Sequence, residues 1–259
     1  MQKTKLLTLI LFGILFLNLS AQEDSFSNDP VVEFDEERKF RLGLHFSPSI
    51  SWLSTNSSGY TSDGSKLGFA YGLSTEFYLA KNYLFSTGIT INSIGGKIKY
   101  ESVYDVNGLL FPSEVKQSIK INYVDIPLTI KLKTNQIGYI SYYGNFGVNL
   151  GLRYQSKSDF EYTDFDNITK SDVNTSSDIK FMNINLVVGG GIEYNLSGNT
   201  NIMLGLTYNN GFINVLDSKT PVLNANGKAT INNEGNPVYS DKSASANINF
   251  FTLNLGVYF

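Results

Sequence analysis

Apolar and polar residues alternate with a period of two along most of residues 40–259, and a chain so patterned is confined to sheet. In the segment 67–79, Leu67, Phe69, Tyr71, Leu73, Phe77 and Leu79 share one face, while Gly68, Ala70, Gly72, Ser74 and Glu76 share the other. In 123–133, Val124, Ile126, Leu128, Ile130 and Leu132 oppose Tyr123, Asp125, Thr129, Lys131 and Lys133. The segments 139–154, 182–196 and 251–259 repeat the pattern cleanly, and 40–52, 83–100 and 201–214 do so less regularly. That makes eight expected strands. Beyond residue 39 no segment carries a helical period, and no apolar run reaches the roughly 20 residues of a transmembrane helix.

Alternation alone suits a soluble sandwich or a membrane barrel, and two features separate them. Several segments run well past the roughly 5–6 residues usual in soluble sheets, a length suited to tilted strands that cross a bilayer. The connections also alternate in length. Residues 80–82, 134–138 and 197–200 read as tight turns, whereas 53–66, 101–117, 156–178 and 215–246 read as long polar loops. Short turns at one end and long loops at the other are the pattern of outer-membrane barrels. Lipid offers no partners to backbone N–H and C=O groups, so a spanning sheet must close on itself. Its outer face then meets hydrocarbon, and its inner face can be polar. Aromatic residues near the short turns (Tyr78, Tyr83, Tyr139, Tyr142, Tyr194, Tyr258 and Phe259) fit an interfacial girdle. The expected fold is all-β, an eight-stranded antiparallel up-and-down transmembrane β-barrel over 40–259.

The N-terminus adds an address. Lys3 and Lys5 precede an apolar run from Leu6 to Leu19, followed by Ser20-Ala21-Gln22. This is the pattern of a secretory signal peptide, residues 1–21, with cleavage after Ala21. Residues 22–39 contain Glu23, Asp24, Asp29, Glu33, Asp35, Glu36 and Glu37 and read as a flexible acidic leader. The expected location is the outer membrane, with leader and short turns in the periplasm and long loops at the cell surface.

Composition removes several functions. There is no Cys, which excludes disulfides, thiolate metal sites and a Cys nucleophile. A single His excludes a multi-His zinc site within the chain. A net charge of −3 argues against nucleic acid as a partner. No cofactor and no metal are expected.

The stretch Tyr123-Val124-Asp125-Ile126-Pro127-Leu128-Thr129-Ile130-Lys131 resembles the Y-[LVI]-[ED]-[IV]-P-L-x-[LIV]-K strand of PorT-like outer-membrane β-barrel proteins of Bacteroidetes. Gly43-Leu44-His45-Phe46-Ser47-Pro48 and the closing Leu253-Asn254-Leu255-Gly256-Val257-Tyr258-Phe259 are similar to that family's first and last strands. Asp125 stands where Glu is more usual, and loop 215–246 has no counterpart. The resemblance implies an eight-stranded barrel in a Gram-negative outer membrane, and a link to type IX protein secretion through the family's named member.

Strand parity points Glu76, Asp125, Lys131 and Glu193 inward, with Arg41 and His45 joining them from the first strand. Buried charges must be paired, so Arg41, Glu76, Lys131 and Glu193, all near the short turns, are expected to form an ionic plug across the lumen. Arg153 belongs near the opposite mouth. A binding or proton-relay site built on His45, Asp125 and Lys131 is the functional alternative. Pro127 cannot donate to a ladder and suggests a bulge or a break in pairing beside Asp125. A hydrolase would have to use His45, whose setting Leu44-His45-Phe46-Ser47-Pro48 carries no nucleophile motif. The acidic stretch Asp159, Glu161, Asp164 and Asp166 lacks the pattern of an EF-hand loop and reads as solvated.

The expected protein is a monomeric, non-enzymatic barrel, surrounded by outer-membrane lipid and lipopolysaccharide, that scaffolds an envelope protein partner. The alternatives are a small-solute channel and a lipid-modifying barrel enzyme. An eight-stranded lumen is normally filled by side chains, which disfavours the channel.

Overall fold

The computed structural model describes residues 39–164 and 168–259. The expected signal peptide and the leader up to residue 38 lie outside the described residues. Eight long strands build the wall: β1 (Phe40–Thr55), β2 (Tyr60–Ala80), β3 (Tyr83–Val106), β4 (Leu109–Lys133), β5 (Ile140–Tyr162), β7 (Met182–Ser197), β8 (Thr200–Gly211) and β11 (Ala246–Tyr258). Three shorter strands lie in the connections: β6 (Ile168–Asn174), β9 (Lys219–Pro221) and β10 (Tyr239–Ser243). The order β4-β3-β2-β1-β11-β8-β7-β5 is closed by antiparallel pairing of β4 with β5, so no wall strand keeps a free edge. The first and last strands meet along Gly43–Thr55, where Leu44 lies opposite Val257 and Leu53 opposite Ile248. Each wall strand otherwise pairs with its neighbours in sequence, an up-and-down barrel.

The expected orientation of the faces is inside out relative to a soluble protein. Leu44, Leu73, Ile89, Phe146, Leu206 and Leu253 are exposed on the outer wall, while Arg41, Glu76, Asn92, Asp125, Lys131 and Glu193 are buried within. Phe46 stacks near Phe69, and Trp52, Tyr208 and Phe251 form an aromatic cluster along the outer surface.

Two of the four expected long loops are sheet instead. Residues 53–66 mostly belong to β1 and β2, and 101–117 form the end of the β3–β4 hairpin. That hairpin turns on Asn107 and Gly108, both at positive φ (54° and 85°), with the Gly108 N–H donating to Asp105 Oδ1 at 2.7 Å. The two-residue Asn-Gly loop suits the twist of a hairpin. The strands run on because alternation continues with its polarity reversed. On β4 the inward row passes from Lys131, Thr129 and Asp125 to Tyr123, Ile121, Ile119 and Val115, with Gln117 and Ser113 as its polar members beyond Asp125. The outward row on the same strand passes from Ile130, Leu128, Ile126 and Val124 to Asn122, Lys120, Ser118 and Lys116. The wall is ordinary amphipathic sheet where water surrounds it and inverted sheet where lipid does. Spanning needs about 9–11 residues per strand, so β3 with 24 residues and β4 with 25 project well beyond a bilayer.

The other two long connections carry their own strands. β6 folds back on the end of β5, pairing Tyr162 with Ile168 and Lys157 with Asn174. The connection 215–246, whose structure the sequence left open, contains the β9–β10 ribbon, and Lys228 reaches Glu101 of β3 at 3.2 Å and Asp164 at 3.0 Å. The low β8–β11 side of the wall thereby sends a ribbon over to the tall β3–β5 side.

Candidate functional site

The lumen is built in three layers. At the short-turn end, Arg41 on β1 lies directly across the ladder from Glu76 on β2. Its Nε and Nη2 donate to Glu76 Oε2 at 2.7 and 2.5 Å, and its Nη1 and Nη2 donate to Glu193 Oε2 and Oε1 at 2.9 and 2.6 Å. Lys131 Nζ lies 2.9 Å from Glu76 Oε1 and 2.5 Å from Glu193 Oε1. Lys133 Nζ adds a contact of 2.5 Å to Glu193 Oε2. Both carboxylates are 1% exposed, so removing either partner of such a pair would strand a charge. Aromatic faces complete the layer: Tyr258 lies 4.7 Å from the Arg41 guanidinium carbon, and Tyr143 lies 4.3 Å from Lys131 Nζ. The Tyr143 ring fits because Gly205 stands opposite, where a Cβ would come within 2.0 Å of the phenol oxygen.

Above it lies a polar chamber of about 150 Å³, bordered by His45, Thr90, Asp125, Asn149, Asn209 and Asn254 among others. Asp125 Oδ2 accepts from the side-chain amides of Asn92 and Asn149 at 2.7 and 2.8 Å. His45 is held from both ring nitrogens, by Ser74 Oγ at 2.9 Å and Thr90 Oγ1 at 3.2 Å. The third layer is mainly apolar, with buried polar residues such as Ser51, Gln117 and Ser158 set among its side chains. Leu53, Ile94, Ile98, Ile119, Ile121, Tyr123, Ile248 and Phe250 line the upper lumen, and Ile179, Val215, Leu216 and Ala244 from the connections pack on them.

The structure brings Arg41, Glu76, Lys131 and Glu193 into one cluster. His45, Asp125 and Lys131 all border the chamber, but their direct side-chain partners differ: Ser74 and Thr90 for His45, Asn92 and Asn149 for Asp125, and Glu76 for Lys131. Arg153 lies apart from the cluster, on the strand pair where Tyr123 is its cross-strand partner. Of the bulge or break in pairing expected at Pro127, the structure shows the break. Thr90 opposite Asp125 and Ser86 opposite Thr129 keep one register, and the ladder to β3 merely lapses across Pro127. The bulge in this region sits between Asn122 and Tyr123 instead, against β5. Lys133, Tyr143 and Tyr258 were missing from the expected cluster. Lys133 has the parity of Lys131, and inward aromatics one rung from paired charges were the available signal. Among the described residues, no group of three or more His, Cys, Asp or Glu is placed to hold a metal. Asp166 of the acidic stretch lies outside the described residues, while Asp159 and Glu161 are strand residues of β5 and not loop.

A profile of the outer membrane protein beta-barrel domain matches residues 20–217. No curated protein matches the chain. Among solved structures, similar chains include Neisserial surface protein A (13% identity, 85% of this chain and 96% of that one, TM-score 0.42). Others are the attachment invasion locus protein Ail of Yersinia pestis (13%, 85% and 97%, TM-score 0.33) and the outer membrane protein OprG of Pseudomonas aeruginosa (12%, 85% and 95%, TM-score 0.35). At these identities and scores the function of those proteins does not transfer to this chain.

Proposed function

The chain belongs to the outer membrane protein beta-barrel domain family, and we propose that it works there as a non-enzymatic scaffold, presenting its tall loop-side rim to the cell exterior and its leader to the periplasm for an envelope protein partner. The observation that carries this reading is the filled lumen. An ionic layer centred on Arg41 and a mainly apolar layer centred on Ile119 and Ile121 flank a polar chamber of about 150 Å³, so side chains occupy the lumen on either side of it. A channel needs an open polar path, and a scaffold does not. Catalysis gains no support from His45. Its Ser74 partner lies within the lumen, away from lipid and from the loops. The PorT-like strand around Tyr123–Lys131 favours protein secretion of type IX as the process served. In that case the partner is a component of the export machinery.

The test pairs two measurements on the full chain. Crosslinking in intact cells is expected to recover an envelope protein, and planar-bilayer recording of the purified barrel is expected to show no steady ion-selective current. A steady current, or transport without any crosslinked partner, overturns the scaffold reading in favour of a small-solute channel.

A further inference from the structure

Just beyond the apolar belt, the outer wall of β3, β4 and β5 carries a concentration of lysines that the rest of the chain does not explain. Lys99 on β3 lies directly opposite Lys116 on β4, and Lys120 on β4 lies directly opposite Lys157 on β5. Lys97 is paired with Ser118, which sits between Lys116 and Lys120, and Lys66 of β2 donates to Ser118 Oγ at 3.0 Å. The charged neighbours of Lys66 are Lys97, Lys120 and Asp159. Like charges directly opposite each other on adjacent strands destabilise a sheet, and here two such pairs stand together in a protein of net charge −3. Nearby carboxylates relieve them only in part. Glu161 reaches Lys116 at 4.0 Å, and Asp172 reaches Lys157 at 3.3 Å.

The position of this field selects its partner. Outward on β4, Val124 and Ile126 belong to the apolar belt; the next outward residue, Asn122, donates to Gln155 Oε1 at 3.1 Å, and Lys120 follows. Tyr154, exposed on β5, marks the same border. Lys120 therefore lies roughly 10 Å along the wall from the hydrocarbon edge, by strand rise and tilt. The Lys120–Lys157 rung is thus at headgroup depth and the Lys99–Lys116 rung, four residues further along β4, lies roughly 10 Å beyond it, on the side of the membrane that the scaffold reading gives to the cell exterior. We propose that this lysine field binds the phosphate groups of a phosphorylated glycolipid of the outer leaflet, a site resting on that reading for its orientation alone. Phosphates lodged between Lys99 and Lys116 and between Lys120 and Lys157 would convert two repulsive rungs into bridged ones.

The test uses the full chain in mixed micelles with bis-phosphorylated lipid A as the probe, scored by lipid retained through size exclusion. The triple variant Lys99→Gln, Lys116→Gln, Lys120→Gln is expected to lower retention on the order of tenfold. The ribbon variant Lys219→Gln, Lys242→Gln and the triple lysine-to-arginine variant are expected to retain lipid as the parent does. Folding of every variant is read independently from gel mobility before and after boiling. Unchanged retention in the glutamine variant, or equal retention of dephosphorylated lipid, overturns the proposal. Displacement by millimolar inorganic phosphate would show a free-anion site, and displacement by heparin a polymer site; either also overturns it. Labelling intact cells with a membrane-impermeant amine reagent reads the orientation separately. Unlabelled Lys219 and Lys242 would overturn the scaffold's orientation while leaving the phosphate affinity measured in micelles standing.

Discussion

Arg41 and Glu76 face each other across the β1–β2 ladder, and the Arg41 guanidinium spans from Glu76 to Glu193 on the far side of the barrel. One side chain thus ties β1 and β2 to β7 across the lumen. The lumen is closed there by charge and not by apolar packing. Such a layer is stable only while every member has its partner.

Glu193→Gln leaves Arg41, Lys131 and Lys133 facing Glu76 as the one remaining carboxylate of the cluster. The expected loss is about 3–5 kcal/mol of folding stability, read from urea unfolding in phospholipid vesicles. Glu76→Gln should cost a similar amount, and the double variant less than the two losses together, because both act on one network.

Gly205→Ala places a methyl group against the Tyr143 hydroxyl and the Gly190 carbonyl. Tyr143 must then leave its place over Lys131, at an expected cost of about 1–3 kcal/mol. Adding Tyr143→Phe should recover part of that loss, because the nearest atom to the new methyl is the phenol oxygen. Recovery is measured in the same unfolding assay.

Leu206→Lys puts a charge at the middle of β8 on the outer wall, where Leu206 is 63% exposed. In a soluble barrel an exposed leucine replaced by lysine would be nearly neutral. In a bilayer the cost is about 2–4 kcal/mol at the midplane. The comparison with Lys at Ser65, beyond the belt on β2, is expected to show no such loss.

The ribbon's tether gives a pH dependence. The hydrogen bond from Lys228, with a second from the Glu114 N–H, holds the Asp164 carboxyl below the usual carboxylate range. Its bond to Asp164 in turn raises the Lys228 ammonium above the usual lysine value. A depressed carboxylate stabilises above its unfolded pKa, near 4, and loses that contribution as pH falls through the lower folded value. A raised lysine stabilises below about 10.5 and loses its share as pH rises through the higher folded value. Amide exchange in residues 222–238 is therefore expected to be least between those limits once its intrinsic pH dependence is removed. Asp164→Asn should abolish the acid-side change.

Much of this was legible in the sequence, and the failures share a cause. Period-two alternation found all eight wall strands, and parity alone put Arg41, Glu76, Lys131 and Glu193 on one face, because a strand's faces are fixed by residue number. The ends of β3 and β4 within 101–117 read as loop because outward residues there are polar, as Glu114 and Lys116 are. The inward Ile98, Ile119 and Ile121 kept the period, but with the polarity of a water-surrounded sheet. Asn107-Gly108 marked the true turn. The closure of the lumen from above was not legible at all. It depends on Val215, Leu216 and Ala244 reaching Leu53 and Ile248 from a long connection, and no local pattern encodes that return.

The reversal of polarity along the wall can be read residue by residue, since the chain has no cysteine and single cysteines can be introduced and labelled cleanly. Fluorophores at positions 73, 132, 206 and 253 of the barrel in vesicles are expected to be quenched by brominated acyl chains, and those at 97, 116 and 120 to be quenched only by a water-soluble agent. Water-soluble quenching at all seven positions, with none by the acyl chains, would contradict a wall that is solvated by lipid below and by water above.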